Sequence, residues 1–410
     1  MTSTRVFVAA LAMAGGLAVT KVQGQSLADL FNPAVLHRID LNLHSSDWAK
    51  LKQNFQINDY YPADVTWNGQ TVRNIGIRSR GAGSRSGVKP GLRVDIDRYA
   101  TTQLFLGLKA FVLRNQTQDA SGIHETTAMW LYARMGIPAP RTSHARLYVN
   151  GQYAGLYVIV EEIDKKFLAR VFGIVDENIQ NDGHLYEYDW IDEWRFSYLG
   201  SGLEAYKQRF SPKTHESRTD EDLYRPIETL VRLTNETPTS GLVTAIADRL
   251  DLSLFMRYLA VQTFLAENDG FAGNWAVNNF YLYRLEDQAK HVFIPWDASN
   301  AFWGPRFDVT WRFETNVLVT KLMQIAQFRD TFFASLNEAA DVAGARNALD
   351  TEIRRELDLI DSAVREDTLK PFSDSQFVNA GNLMRQFSGE RVAYVKCEVA
   401  RLTGQSSNSC

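Results

Sequence analysis

The sequence predicts an α+β fold with two lobes: a β-rich N-terminal lobe with one main helix, and a helix-rich C-terminal lobe that contains a β-hairpin. Three observations predict this fold. Short segments that alternate between polar and apolar residues dominate residues 25–163. From residue 164 to residue 402, the apolar residues recur mostly at helical spacing. Two strand-like segments, 279–285 and 291–297, interrupt that helical region and are typical of one hairpin.

The composition is that of an ordinary globular protein, with 45% hydrophobic and 22% charged residues among 410. A chain of this length can bury the cores of two lobes. The formal net charge of −4 argues against a nucleic-acid-binding protein, because such proteins usually carry an excess of positive charge.

Residues 1–24 have the pattern of a secretory signal peptide. Arg5 supplies the positive n-region, an apolar run covers 6–19, and a small-residue cleavage site precedes Gln25. Removal of this segment removes Arg5 and Lys21 and no acid, so the net charge changes by −2, from −4 to −6. Because the apolar run is short for a membrane span, we expect an exported chain with no stable span after signal removal. The alternative is a buried N-terminal helix.

The chain has two cysteines, Cys397 and Cys410, close together near the C-terminus. In an exported protein we expect them to form a disulfide that holds the tail, residues 403–410. The alternative is two unpaired thiols. Two cysteines without a CxxC motif do not suit a zinc site.

The β-rich region contains two predicted hairpins and one prominent helix. Asn68-Gly69 marks the turn of the first hairpin, 62–81, and Asn150-Gly151 marks the turn of the second, 144–163. The main helix is predicted at 119–136. The other predicted elements are strands at 35–44, 89–97 and 108–115 and a short helix at 45–55.

The region from residue 164 is predicted to be mainly helical, and the boundary between the lobes falls near residues 161–166. A polar, loop-like stretch covers 200–221. Residues after 315 are mostly helical to residue 402 and carry no recognisable motif. The other elements predicted before the hairpin are helices at 164–172, 222–235, 240–249 and 253–267 and a strand at 184–190.

The segment 76–97 has the residue types of a phosphate-binding loop between two strands. Gly81 and Gly83 allow backbone N–H groups to approach an anion. Arg80 and Arg85 add positive charge and hydrogen-bond donors. Neither GxGxxG nor a P-loop motif is present, so an ordinary surface loop with solvated arginines is the alternative.

Glu125 lies early in the predicted helix 119–136 and is a candidate partner for Lys89. Lys89 begins the strand after the glycine-rich loop, where its ammonium group could reach a phosphate. An ion pair between the two side chains would orient the lysine, as in protein kinases. The alternative is that Glu125 only interacts favourably with the helix dipole.

The most informative cluster surrounds the predicted hairpin. Asp269 could accept a proton from a substrate hydroxyl, and Asn274 follows it by five residues, the spacing between catalytic Asp and metal-binding Asn in protein kinases. Asn278 and Asn279 precede the first strand, and Asp297 ends the second. Carboxylate and amide oxygens suit a hard divalent cation that carries phosphates. The alternative is that these residues only cap turns around the hairpin.

These clusters, in this order, resemble the CotH family of atypical secreted or spore-coat protein kinases, over roughly residues 35–310. The resemblance implies a bilobal, atypical protein-kinase-like fold that uses ATP and Mg²⁺ or Mn²⁺. It also implies phosphorylation of Ser or Thr on a partner protein, such as a Ser/Thr-rich surface or coat protein. The matching stretches are IRSRGAGSR with KPGLRVDID, LFLGLKAFVLRN, HETTAMWLYARMGIPAPR, YVNGQYAGLYVIVEEIDKKF, the DG…NNFYLY segment and IPWDASNAFWG.

The resemblance also implies roles for matching residues. Lys89 would contact the ATP phosphates, and Glu125 would pair with Lys89. Asp269 would be the catalytic Asp, and Asp297 would hold the metal. Arg80, Gly81, Gly83 and Arg85 of the glycine-rich loop are grouped with the ATP-binding residues. The loop departs from that of ordinary protein kinases, because it carries more arginine.

The second metal ligand has two candidates under this resemblance. Asn274 has the expected distance from Asp269, while Asn279 has the expected place before the strand, and we favour Asn279. Glu161, in VIVEEID, matches a family Glu near the lobe junction. It is grouped with the cofactor-binding candidates, and its role stays open.

The predicted function is that of a secreted, metal-dependent protein kinase, and two alternatives stand beside it. Some relatives of this family resemble host-binding surface proteins, so the first alternative is a non-catalytic adhesion protein on the same fold. The second is transfer of a different group, such as AMP, by the same site.

Overall fold

The computed structural model of the chain describes residues 25–175, 178–179, 181–286, 288–406 and 409–410. The predicted signal peptide, residues 1–24, lies outside the described residues. The mixed α+β class is confirmed, because the N-terminal part consists mainly of strands and the C-terminal part mainly of helices around a small sheet.

Seven strands of the N-terminal part close into a barrel. They are β1 His37–Leu43, β2 Tyr61–Trp67, β3 Gln70–Ser79, β4 Leu92–Asp95, β5 Ala110–Arg114, β6 Thr142–Val149 and β7 Gln152–Glu161. Their order around the barrel is β1-β2-β3-β4-β5-β7-β6, and β1 and β6 close it as a parallel pair that aligns Ile39 with Leu147. Closure was not predicted, because alternating strands alone do not distinguish a barrel from an open sheet.

Both Asn-Gly turns are confirmed. Asn68 (φ 47°) and Gly69 (φ 77°) connect β2 to β3, and Asn150 (φ 50°) and Gly151 (φ 78°) connect β6 to β7. Positive φ at both central residues is the geometry of a type I′ turn, which Asn and Gly adopt with little strain. The helices of this part are α1 Leu27–Leu30, α2 Ser45–Gln53 and α3 His124–Arg134.

The predicted hairpin of the C-terminal part belongs to a larger sheet. The strands of this part are β8 Ile174–Val175, β9 Asn178–Ile179, β10 His184–Tyr188, β11 Phe210–Pro212, β12 Phe280–Arg284 and β13 His291–Pro295. Four of them pair in the antiparallel order β11-β10-β12-β13. The expectation of a single hairpin is therefore wrong, because β10 and β11 extend it into a four-stranded sheet.

Nine helices are described in the C-terminal part. They are α4 Lys165–Phe172, α5 Glu204–Lys207, α6 Asp220–Glu236, α7 Leu242–Ile246, α8 Leu252–Phe264, α9 Val317–Gln324, α10 Ala326–Gly344, α11 Ala348–Glu366 and α12 Asp374–Leu402. None of the helices within the described ranges combines the length and the apolar character that a bilayer span requires.

Two apolar interfaces join the barrel to the C-terminal part. Leu131 and Tyr132 of α3 belong to the core of the helical part, where the Tyr132 ring stacks on Tyr258 of α8 at a centroid distance of 6.1 Å. On the outer face of the barrel, Val158 of β7 packs in one cluster with Tyr281 of β12. Because these apolar contacts join the two parts, a division into two separate lobes stays a proposal.

Cys397 in α12 forms a disulfide with Cys410, and their Cα atoms are 5.7 Å apart, as predicted. The carbonyl of Cys410 accepts a hydrogen bond from Nη1 of Arg306 at 3.0 Å. The tail is therefore held both to the last helix and to the loop that precedes α9.

A buried ion pair ties the barrel to the C-terminal helices. Lys89, before β4, is 2% exposed, and its Nζ lies 2.5 Å from Oδ2 of Asp367, which follows α11. The same carboxylate accepts the backbone N–H of Leu156 at 3.0 Å. Gly155 approaches so closely that a Cβ there would lie 2.5 Å from Oδ2. The predicted ion pair between Lys89 and Glu125 is therefore wrong, because Asp367 takes the lysine.

We expect Lys89→Met to lower the free energy of unfolding by about 3–5 kcal/mol, since it leaves the buried Asp367 carboxylate uncompensated. Urea unfolding followed by tryptophan fluorescence measures the change. Lys207→Met is the control, because Lys207 and Asp220 form an exposed pair at 3.0 Å, whose loss costs about 1 kcal/mol or less. An equally small loss in Lys89→Met would contradict a stabilising role for the buried pair.

Candidate active site

The open end of the β12–β13 hairpin brings together the residues that flank it. Phe280 pairs with Pro295 at that end, and the backbone N–H of Trp296 donates to the carbonyl of Asn279 at 3.2 Å. Asn279 (φ 57°) and Asp297 (φ 55°) both adopt left-handed backbone conformations. Asn and Asp adopt such conformations more readily than other residues with a side chain, so both residues can flank the hairpin without large backbone strain.

Three Asn amides hold the carboxylate of Asp269. Its Oδ1 accepts Nδ2 of Asn278 at 2.8 Å. Its Oδ2 accepts Nδ2 of Asn279 at 3.1 Å and Nδ2 of Asn300 at 3.2 Å. Burial raises the pKa of Asp269, the Asn278 amide opposes the rise, and the charge of Asp297 adds to it. The carboxylate is therefore fixed in orientation and more basic than an exposed Asp.

Asp297 is bound by an arginine that sequence reasoning did not select. Arg114, the last residue of β5, places its Nη1 2.7 Å from Oδ2 of Asp297. Ser299 Oγ donates to Oδ1 of the same carboxylate at 3.1 Å. Burial raises the pKa of Asp297, but Arg114, Arg80 and Ser299 together outweigh burial, so the net pKa lies below its usual value. Asp297 is therefore ionised at neutral pH.

Glu125 on α3 is buried beside the same arginine. Its side chain is 1% exposed, and Oε1 lies 3.6 Å from Nε of Arg114. Burial raises the pKa of Glu125 to about 7, against the attraction of Arg114. Glu267, also buried, accepts the backbone N–H of Asp269 at 3.1 Å. The cation beside Glu125 is therefore Arg114 and not Lys89, which was predicted to pair with it.

A cleft of about 740 Å³ brings the two predicted clusters to one place. The glycine-rich loop lines one side, and the end of the hairpin lines the other. A narrower cavity leads from the cleft toward Arg114 and Glu125 and shares Arg80, Gly81 and Asp297 with it. The predicted site residues that line the cleft are Arg80, Gly81, Gly83, Arg85, Asp269, Asn278, Asn279 and Asp297.

The glycine-rich loop is fixed by hydrogen bonds to the barrel. Gly81 has a φ of +112°, and a Cβ there would lie 2.5 Å from a neighbouring side-chain oxygen, so the loop requires glycine at this position. Arg85 donates to the carbonyl of Gly81 at 2.7 Å and to that of Phe55 at 2.8 Å. Its guanidinium is therefore occupied by the loop itself and by the segment between α2 and β2. Arg80 is better placed than Arg85 to bind an anion in the cleft, because its Nη2 has, among the described residues, a single, longer contact, 3.5 Å from Oε1 of Glu187.

Two cofactor-binding candidates lie outside the cleft. Lys89 is occupied by Asp367, as described above. Glu161 is 1% exposed, and its two oxygens lie 2.7 Å from Arg141 Nη2 and 2.6 Å from Arg170 Nη2. This carboxylate therefore holds the end of β7 to α4.

Asn274 is also directed away from the cleft. Its Oδ1 accepts Nε1 of Trp311 at 2.9 Å, and its backbone N–H donates to the carbonyl of Asn268 at 2.8 Å. Asn274 has the expected five-residue spacing from Asp269, but its side-chain oxygen already accepts the hydrogen bond from Trp311. Of the two Asn candidates, the structure brings only Asn279 to the cleft.

Sequence reasoning missed Arg114, Glu267 and Asn300. Arg114 is the only charged residue in β5, AFVLR. A charge at the end of an otherwise buried strand needs a partner, and that signal could have indicated it. Glu267 and Asn300 offer no comparable signal beyond lying within three residues of Asp269 or Asp297.

The cleft residues fit a divalent cation that binds together with phosphates. Among the described residues, no group of three or more His, Cys, Asp or Glu side chains could hold a metal without other ligands. Asp297 and Asn279 offer one carboxylate and one amide at the end of the hairpin. Mg²⁺ is commonly bound in this way, by one or two carboxylates together with substrate phosphates and water.

A family model described as CotH kinase protein matches residues 77–395. This chain belongs to the CotH kinase family. The predicted family is thereby confirmed. The match extends through α9, α10, α11 and most of α12, beyond the stretches on which the sequence resemblance was based. The helices after residue 315 therefore lie within the region that the family model matches, up to residue 395.

Two curated relatives and one solved structure are similar to this member of the family. Inner spore coat protein H of Bacillus subtilis is 23% identical over 375 residues, 89% of this chain and 98% of that protein. Invasin CotH3 of Rhizopus delemar is 26% identical over 256 residues, 57% of this chain and 40% of that protein. The crystal structure of a Helicobacter pylori proinflammatory kinase, CtkA, matches 76% of this chain and 95% of its own at 10% identity and a TM-score of 0.30.

We expect Glu125→Gln to change the pH dependence of stability. A Glu whose pKa is raised from 4.5 to about 7 stabilises the fold while protonated, and that contribution is lost as the pH rises between those values. Relative to the variant, the free energy of unfolding of the unmodified chain should fall by about 3 kcal/mol over this range. Urea unfolding in buffers with a metal chelator measures it. Glu236→Gln, at a side chain 56% exposed, is the control, and parallel pH curves for all three proteins would contradict the expectation.

Proposed function

We propose that this member of the CotH kinase family is an extracytoplasmic protein kinase. It transfers the γ-phosphoryl group of ATP to Ser or Thr of a partner protein, such as a Ser/Thr-rich surface or coat protein. The observation that carries the proposal is the convergence of the glycine-rich loop with Asp269 and Asp297 in one cleft. Phosphoryl transfer requires a loop that binds phosphates, a residue that positions the nucleophile, and metal ligands.

The phosphate-binding side of the proposed site combines cationic and backbone groups. Arg80 and the backbone N–H groups near Gly81 and Gly83 would bind phosphate oxygens through charge-assisted hydrogen bonds. Asp297 and Asn279 are the residues that would hold Mg²⁺ or Mn²⁺. The metal ion, when bound with ATP, supplies positive charge that offsets the charge of the phosphates.

Asp269 would orient the acceptor hydroxyl and accept its proton. Asn278, Asn279 and Asn300 already fix the carboxylate, so little rotational freedom is lost when the hydroxyl binds. The rise in its pKa that burial causes makes it a stronger base. Arg114 has the opposite effect on the pKa of Asp297. The two environments therefore suit a base at one Asp and a metal ligand at the other.

The proposed architecture is bilobal and kinase-like. The barrel and its glycine-rich loop lie on one side of the cleft, and the four-stranded sheet with its helices lies on the other. The proposed location is the cell surface or the exterior. It is supported by the signal-like pattern of residues 1–24 and by the names of the two curated relatives, an inner spore coat protein and an invasin.

A second candidate is a non-catalytic surface protein that binds a partner. The name of the Rhizopus relative, invasin, favours it. Against it stands the grouping of the buried Glu125 and Glu267 with the half-buried Asp269 and Asp297. Burying several carboxylates is costly, and a surface that only binds a partner does not require it.

Incubation of residues 25–410 with ATP and Mg²⁺ or Mn²⁺ should add about 80 Da per phosphoryl group to the chain or to a Ser-rich peptide. Asp269→Asn and Asp297→Asn should lower the rate by about 100-fold or more, because each removes a group that acts in the transfer. Intact-protein mass spectrometry measures both effects. Asp330→Asn, at a side chain 71% exposed on α10, is the control and should retain the full rate.

Other outcomes of that measurement separate the candidates. An AMP-sized gain that both variants lose would keep the site and change the reaction to nucleotidyl transfer. No gain, together with no rise of Tm in the presence of ATP and metal, would contradict the kinase proposal and favour the binding protein.

Arg114 rather than Lys89 should determine activity. Arg114→Gln should lower kcat/KM for phosphorylation by about 100-fold or more, since it leaves Asp297 and Glu125 without their cation. Lys89→Met, assayed below its Tm, should keep kcat/KM within about threefold, because Lys89 lies outside the cleft. Circular dichroism confirms that both variants are folded. The reverse pattern in folded variants would show that Lys89 is the phosphate-binding residue after all.

A further inference from the structure

The cleft carries an exposed aromatic pair that the proposed chemistry does not use. Trp190, which follows β10, and Trp275, in the loop that carries Asp269, line the cleft and are 44% and 53% exposed. Their rings meet edge to face, with centroids 6.4 Å apart and an interplanar angle of 86°. Nε1 of Trp190 also donates to the carbonyl of Trp275 at 2.9 Å. Together the two indoles form a contiguous apolar surface.

The backbone on both sides of Trp275 is fixed. Asn274 accepts Nε1 of Trp311 at its side-chain oxygen, 2.9 Å away, and Nη1 of Arg312 at its carbonyl, 3.1 Å away. On the other side, the N–H of Ala276 closes a tight turn with a hydrogen bond of 3.2 Å. A side chain on such a loop loses little backbone freedom when another surface covers it. Asn274 therefore positions Trp275, a role that replaces the predicted one in metal binding.

The aromatic pair lies at the acceptor side of the cleft. The groups proposed to bind phosphate and metal, Arg80 and Asp297, also line the narrower cavity toward Arg114, whereas neither tryptophan does so among its described lining residues. Trp275 instead belongs to the loop of Asp269, and Asn278 of the same loop holds the Asp269 carboxylate at 2.8 Å. Because Asp269 would orient the acceptor hydroxyl, its neighbours contact the molecule that carries this hydroxyl.

We infer that Trp190 and Trp275 bind an apolar side chain of the acceptor polypeptide next to the Ser or Thr that Asp269 engages. The inference rests on the proposed kinase function. An aliphatic side chain or a proline ring suits the surface, because it covers both indoles without leaving a polar group unpaired. Exposed tryptophans that become covered are frequent centres of binding energy at interfaces. Acceptor choice then depends on a residue beside the hydroxyl as well as on the hydroxyl itself.

The test uses a peptide library with a central Ser and one varied neighbouring position at a time. We expect the unmodified chain to prefer Val, Leu, Ile or Pro at one position. In Trp275→Ala and Trp190→Ala, the KM for the preferred peptide should rise about tenfold or more, while the KM for ATP stays within about twofold. Trp275→Phe should recover part of the preference. Trp303→Ala is the control, because Trp303 is 63% exposed and does not line the cleft.

Three results would overturn the inference. The first is a rise in the KM for ATP in the alanine variants, because the pair would then stack on the nucleobase. The second is an unchanged library preference. If the unmodified chain phosphorylates no peptide, the proposed kinase function fails, but the inference about peptide binding can still be tested. Fluorescence polarisation of the same labelled peptides then measures their binding without any phosphoryl transfer. The third result that would overturn the inference is an equal Kd of the peptides for the unmodified chain and for Trp275→Ala. Weaker binding by the variant would support peptide binding at the two tryptophans.

Discussion

The contact between Arg114 and Asp297 fixes how the barrel meets the rest of the protein. Arg114 ends β5, Asp297 follows β13, and Glu125 on α3 lies 3.6 Å from the same guanidinium. Any one of these charges, buried alone, would cost several kcal/mol. The need to compensate these charges therefore favours the arrangement of the barrel strand, the helix and the hairpin that brings all three side chains together. The position of the cleft follows from that requirement, because the glycine-rich loop is carried on the same barrel.

The cluster around this contact has more carboxylates than cations. Glu125 and Asp297 lie beside Arg114, and the carboxylates of Glu267 and Asp269 lie close enough to interact with them. Burial raises the pKa of Glu125 and of Glu267, so protons relieve part of the negative charge. A divalent cation at Asp297 would relieve the same charge in another way. Metal binding at the proposed site would therefore be coupled to proton release. The cluster should therefore favour a phosphate group that arrives with its metal over one that arrives without it.

Features set by neighbouring residues could be predicted from the sequence, and features set by distant ones could not. The Asn-Gly turns, the hairpin and the grouping of Asp269, Asn279 and Asp297 all follow from short segments with clear patterns. Lys89 and Asp367 are separated by 278 residues, and neither segment indicates the other. A lysine after a glycine-rich loop suits a phosphate and a buried carboxylate equally well, so tertiary packing decides between them. The parallel pairing of β1 with β6, which closes the barrel, likewise joins distant segments whose sequences do not indicate each other.

The helices after residue 315, which carried no recognisable motif, support both Asp residues of the cleft. Arg391 of α12 is fully buried and donates to the carbonyls of Thr263 at 2.6 Å and Phe264 at 2.9 Å, the last two residues of α8. It also donates to the carbonyl of Phe307 at 2.5 Å. A cation is favourable at the C-terminus of a helix, where carbonyl groups lack partners.

α8 leads directly into the loop of Asp269, and Phe307 lies in the segment that follows Asp297. One buried arginine therefore holds together the two chain segments that carry the proposed base and the proposed metal ligand. Burial lowers the pKa of Arg391 to about 10, which leaves it charged at neutral pH. The last helix thus supports the chain segments that lead to the two Asp residues. Arg391 lies within the region that the family model matches, which continues to residue 395, well beyond the residues that line the cleft.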